Sequence, residues 1–122
     1  MLYFEAKGAK IPAIGLGTWE LHGRSCARIV EQALRLGYRH VDTAQIYENE
    51  REVGEGVRAS GVRRDEVFVT TKVWTTNFAP AALERSAKES LVRLRLSEID
   101  LLLLHWPSPH VPLTETLGAL AR

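Results

Sequence analysis

Four times in succession along this chain, a short run of β-favouring residues gives way to a turn and then to a stretch with helical spacing of its apolar positions. Consecutive βα units force a parallel arrangement, because each helix carries the chain back before the next strand begins. The chain is therefore expected to be a serial α/β protein. The first strand is predicted at Ala13-Ile14-Gly15-Leu16-Gly17, and its helix places Cys26, Ile29, Val30, Ala33 and Leu34 on one face before Gly37. In the second unit His40-Val41-Asp42 forms the strand end. Asn49 with Glu52 three residues on resembles a capping box for a helix reaching Ser60-Gly61. The third strand, Val67-Phe68-Val69-Thr70-Thr71, is rich in β-branched residues, and Pro80 then opens a helix that faces the sheet with Leu83, Ala87, Leu91 and Leu94. Residues 99–104 are almost continuously apolar, as expected of a parallel strand covered on both faces, and a last helix begins near Thr114. Ahead of these units Leu2-Tyr3-Phe4-Glu5 and Lys10-Ile11-Pro12 flank a Lys-Gly-Ala turn, predicting a hairpin that caps the N-terminal ends of the strands. No low-complexity segment or linker interrupts the sequence, so residues 1–122 read as one structural unit.

Composition narrows the functional classes. Sixteen basic residues are interleaved with fifteen acidic ones for a net charge of +1, so no basic patch points to nucleic acid. The longest apolar run, residues 101–104, falls far short of the roughly 20 residues of a membrane span. Glu5 and Lys7 break the stretch where a secretory signal would be apolar, so no targeting segment is expected. The single cysteine, Cys26, forms no internal disulfide and is expected to be buried, in keeping with a cytoplasmic location. His22, His40 and His110 lack metal-ligand spacing, and no metal is expected.

In serial βα folds, reactive groups collect at the C-terminal ends of the strands. Gly17-Thr18-Trp19 follows the first strand, and Asp42 with Tyr47 follows the second. Lys72 and Trp74 end the third, and His105-Trp106 the fourth. Each residue alone has a structural explanation: Asp42 as a loop cap, Lys72 as its ion-pair partner, Tyr47 as a half-buried aromatic, His105 as a satisfied strand-end histidine. An acid, a base, a phenol and an imidazole on one rim suit carbonyl reduction. Hydride addition to a carbonyl carbon leaves charge on oxygen, so the site needs a proton donor and a second polar group aimed there. Tyr47 and His105 are the candidates. An adjacent ammonium eases proton release from a phenol, and Lys72 is placed to supply it, with Asp42 orienting the lysine. Trp19, Trp74 and Trp106, together with His105, are candidates for the substrate pocket wall, where indole faces exclude water.

Two glycine patterns are set aside. Gly15-Leu-Gly17 has Glu20 where a third glycine belongs, and Gly54-Glu-Gly56 lies inside a helical stretch, so neither supports a dinucleotide fingerprint.

The strings "GLGTW", "GYRHVDTAQIYENEREVG", "TTKVW" and "DLLLLHWPSP" resemble, in order and spacing, the successive motifs of the aldo-keto reductase superfamily. Within it they look most like the bacterial 2,5-diketo-D-gluconic acid reductases, which also reduce methylglyoxal. The resemblance implies a (β/α)₈ TIM barrel and NADPH-dependent reduction of a small aldehyde or ketone. It places the catalytic tetrad on Asp42, Tyr47, Lys72 and His105, and it sets Gly17, Thr18 and Asp42 near the nicotinamide of NADPH. Four βα units are half of such a barrel, so a truncated half-barrel is expected. Such a half is expected to be inactive by itself and to self-associate through its open edges; the alternative function is an inactive self-assembly or interaction module.

Overall fold

The computed structural model describes residues 2–121. Strands β1 (Tyr3–Ala6) and β2 (Ala9–Pro12) form the antiparallel hairpin, with Tyr3 opposite Pro12 and Ala6 opposite Ala9. Lys7 and Gly8 make its two-residue turn with φ of 48° and 85°, the left-handed pair that matches strand twist. Four parallel strands follow in sequential order: β3 (Leu16–Gly17), β4 (His40–Asp42), β5 (Phe68–Val73) and β6 (Leu101–Leu104). Helices α1 (Gly23–Arg35), α2 (Glu50–Ala59), α3 (Pro80–Leu94) and α4 (Leu113–Leu120) alternate with them.

Parallel pairing puts Asp42, Thr70 and Leu101 side by side, and likewise Lys72 and Leu103, so these face one side of the sheet. Val41, Val69, Val73, Leu102 and Leu104 face the other, where the helices lie. One core packs Cys26, Val30 and Leu34 of α1 and Val53 and Val57 of α2 on Val41 and Val69. A second joins Val73, Phe78, Leu83 and Ala119 with Leu102 and Leu104. Cys26 is buried as expected, and burial lifts its thiol to about 11, the Glu52 carboxylate adding to the shift. The two glycines of α2 have a packing reason. A Cβ on Gly54 would stand 2.1 Å from the Leu94 carbonyl oxygen, and one on Gly56 would stand 2.6 Å from that of Ala27. The pair thus lets α2 approach both α1 and the end of α3.

Five expectations need correction. The first strand starts at Leu16, because the Ala13 N–H is already spent on the Leu2 carbonyl at 2.8 Å and the chain bends there from hairpin to sheet. Ile29 lies on the exposed flank of α1; Cys26, Val30, Ala33 and Leu34 alone are buried. The fourth strand begins at Leu101, since the Asp100 carboxylate itself takes the Val69 N–H at 2.8 Å and the Arg64 guanidinium at 2.7 Å. It is also covered on one face only: β6 is an edge strand, and Leu103 is 38% exposed on the side away from the helices. Finally, Asn49 precedes α2 but makes no side-chain cap, for a reason that belongs to the site.

The hairpin does sit at the N-terminal end of the strands, where His40 Nδ1 lies 3.2 Å from the Pro12 carbonyl oxygen. Among the described residues no helix is long and apolar enough to cross a membrane.

Candidate active site

The parallel ladder sets the heights of the strand ends. Gly17 pairs with Asp42, Asp42 with Thr70, and Lys72 with Leu103, so Asp42 and Lys72 reach the same rim from neighbouring strands. There the Lys72 ammonium donates to the Asp42 carboxylate, and it lies 3.3 Å from the Thr43 carbonyl oxygen and 3.5 Å from the Tyr47 hydroxyl. It also stands 5.2 Å from the centre of the Tyr47 ring. The ammonium is thus shared between a carboxylate and a phenol, with most of its surface out of water.

His105 follows β6 directly, its N–H held by the Val73 carbonyl at 3.1 Å. Its ring stands edge-on to Tyr47 at 5.7 Å and to Trp74 at 5.3 Å. Nδ1 is buried and has no partner among the described residues. Burial lowers the imidazole pKa from its ordinary value, the Lys72 charge lowers it further, and Asp42 offsets part of the effect. A neutral ring results, able to donate one hydrogen bond without competing with Lys72 for the carboxylate.

All four polar candidates therefore come together on one rim, whereas the tryptophans divide. Trp74 is half-buried against His105; Trp106 stacks parallel to the same ring at 6.3 Å but is 60% exposed; Trp19 is 68% exposed and lies outside the cluster. Gly17 borders open space, with nothing within 4 Å of where a Cβ would stand. Thr18 is fully buried and donates both its N–H (3.0 Å) and its hydroxyl (2.9 Å) to the Asp42 carbonyl, so its side chain anchors the loop and has no free face.

Three residues that hold this rim escaped the reading of the sequence or were misread. The Asn49 amide donates to the Thr18 and Leu21 carbonyls at 2.8 and 2.9 Å and accepts from the Thr43 hydroxyl at 2.6 Å, tying the loop after β3 to the end of β4. This is why it does not cap α2. Glu50 is buried, with Arg93 at 2.7 Å and the Thr71 hydroxyl at 2.7 Å. Gln45 opens the 3₁₀ turn Gln45–Tyr47 and bonds to the segment after β5. The only sequence signal for any of them is polar residues crowding the "DTAQIYENE" segment, where a plain loop would tolerate any side chain.

The sequence pattern of the Aldo/keto reductase family matches residues 13–122. Methylglyoxal reductase DkgB of Yersinia pestis is 50% identical over 100 residues, taking in 82% of this chain and 38% of that protein. The crystal structure of a putative 2,5-diketo-D-gluconic acid reductase B superposes with a TM-score of 0.89 at 56% identity, covering 93% of this chain and 40% of the other. That of a Bombyx mori aldo-keto reductase in complex with NADP gives 0.91 at 34% identity, over 98% and 45% respectively. The chain thus spans less than half the length of these relatives. With the family pattern running through nearly all of it, and with its four βα units laid out as in one half of those barrels, the chain belongs to the aldo/keto reductase family.

Proposed function

We propose that residues 1–122 form the N-terminal half of an NADPH-dependent reductase barrel that converts a small aldehyde or ketone, of the methylglyoxal or 2,5-diketo-D-gluconate kind, to an alcohol in the cytoplasm. The observation that carries this reading is the Lys72 ammonium set between the Asp42 carboxylate and the Tyr47 hydroxyl. Tyr47 is the proton donor to the carbonyl oxygen. Lys72 stabilises the charge left on the phenolic oxygen, and Asp42 keeps the ammonium aimed at it. His105, neutral and edge-on to Tyr47, orients the carbonyl by a hydrogen bond from its ring. Trp74 and Trp106 flank His105 and limit water on that side.

NADPH fits this rim on two observations: the open floor at Gly17 admits a flat ring beside Asp42, and Thr18 rigidifies the backbone there. When bound, the cofactor supplies the hydride that the carbonyl carbon accepts. Gly17 and Asp42 would hold its nicotinamide end, with Thr18 fixing the loop that carries Gly17.

The test uses the chain completed to an eight-stranded barrel with the second half of DkgB of Yersinia pestis. Tyr47→Phe should lower methylglyoxal turnover at least about a hundredfold while leaving NADPH binding unchanged. Equal turnover by the two proteins would remove Tyr47 from the chemistry.

A further inference from the structure

Backbone pairing between β4 and β5 ends with Asp42 beside Thr70 and one further bond, from the Thr43 N–H to the Thr70 carbonyl at 2.8 Å. Tyr47 and Trp74 both lie beyond that point. The side chain that joins their two segments is Gln45. Its Oε1 accepts from the Trp74 backbone N–H and from Asn77 Nδ2, each at 3.0 Å, while its Nε2 donates to the Ser86 carbonyl at 3.3 Å and the Ser90 hydroxyl at 3.2 Å. A carboxamide offers two acceptor positions and two donors, so every one of them is used.

Each segment carries a turn bond of its own, and the Trp74 carbonyl accepts from the Asn77 N–H at 2.9 Å. The 3₁₀ turn has its own bond from the Tyr47 N–H to the Ala44 carbonyl at 3.1 Å, and Lys72 reaches the Tyr47 hydroxyl. The Trp74 N–H, by contrast, goes to Gln45. Loss of the amide therefore costs Trp74 a backbone bond that the Tyr47 turn does not lose, and the Trp74 indole makes one wall of the corner that His105 forms with Tyr47.

We infer that Gln45 is a specificity-determining positioning residue: its amide sets the gap between the Tyr47 phenol and the Trp74 indole, and so restricts the site to small, unbranched carbonyl compounds over bulky aromatic ones. This rests on the reading of Tyr47 as proton donor. The mechanism is steric. A fixed indole narrows the approach to the phenol, and releasing it widens the approach without touching the proton path through Lys72.

Two substitutions separate positioning from mere structural support. Gln45→Met keeps the side-chain length and removes all four bonds. Gln45→Glu retains oxygens for the Trp74 N–H and Asn77 but loses both donors to α3. In the completed barrel, Gln45→Met should raise KM for methylglyoxal about tenfold with kcat within about twofold. It should also shift kcat/KM about tenfold toward 4-nitrobenzaldehyde, a change of the size a reshaped pocket gives. Gln45→Glu should keep the native substrate ratio while lowering Tm. The second measurement needs no turnover: in the full 122-residue chain, nuclear Overhauser contacts between the Trp74 indole and the His105 ring should persist in Gln45→Glu and vanish in Gln45→Met. Where Gln45→Met fails to fold, Gln45→Asn, one methylene too short to reach both partners, serves with the same expectations. An unchanged substrate ratio, or ring contacts that survive in the methionine or asparagine variant, would overturn the inference. Loss of all turnover in the unsubstituted barrel would instead sink the reductase reading and leave the ring contacts to decide the role of Gln45.

Discussion

Arg93→Met is expected to destabilise the chain by about 3 kcal/mol, near the lower end of the roughly 3–5 kcal/mol that breaking one side of a buried ion pair costs. The Glu50 side chain is 1% exposed, and its carboxylate has Arg93 Nη2 at 2.7 Å and Nε at 2.8 Å on one oxygen and the Thr71 hydroxyl at 2.7 Å on the other. Removing Arg93 leaves a buried charge with a single hydroxyl for company. The lower end applies because Arg93 is 33% exposed, so water reaches the vacated side. The double substitution Glu50→Gln with Arg93→Met removes charge along with partner and should cost no more than about 1 kcal/mol, the worth of a neutral hydrogen bond. A difference of about 2 kcal/mol should therefore separate the arginine variant from the double variant. Urea unfolding of the three proteins, followed by far-ultraviolet circular dichroism, measures it. An Arg93→Met midpoint indistinguishable from the parent, or a double variant less stable than Arg93→Met, would refute the argument. The pair also bears on the site, because Glu50 adjoins Asn49 and Thr71 adjoins Lys72 in the chain.

Two helical glycines should respond in opposite directions to the same substitution. Gly54→Ala drives a methyl into the Leu94 carbonyl and should cost about 3 kcal/mol in urea unfolding, whereas Gly118→Ala meets nothing within 4 Å among the described residues and should stabilise α4 by roughly 0.5–1 kcal/mol. Equal effects at the two positions would mean that α2 does not approach α3 so closely. His105 sets a pH dependence. Its native pKa lies below the ordinary value of about 6.5, so between the two the unfolded chain binds more protons and stability rises with pH. Its contribution is therefore present above about pH 6.5 and is lost as pH falls through the native pKa. His105→Gln should flatten the urea midpoint against pH in that interval, and a slope unchanged by the substitution would show that another group produces it.

How much of this was legible in the sequence follows from what holds each part in place. The β4 and β5 strands and the helix faces repeat every two residues or about every 3.6, so a pattern of apolar positions finds them, and with them the strand ends where Asp42, Lys72 and His105 stand. Ladder pairing then brings those ends to one rim without further information. Errors arose where a backbone N–H found its partner outside the parallel ladder, on a side chain or in the hairpin. The Asp100 carboxylate took the Val69 N–H and delayed β6, and the Ala13 N–H went to the hairpin and shortened β3. Asn49 shows the limit most clearly. Asn followed three residues later by Glu satisfies the local rule for a helix cap, yet its amide reaches carbonyls 31 and 28 residues back in the chain, at Thr18 and Leu21. A short-range rule cannot weigh that competition, because both outcomes satisfy the same amide and only the tertiary one also closes the loop after β3. Gln45 poses the same problem across 29 residues to Trp74. The rim lies where the ladder has run out, so its loops are joined by amide side chains whose partners are distant in sequence. Polar residues packed into a short loop directly after a parallel strand are the feature that such a search should follow, since burial there obliges each of them to find a partner.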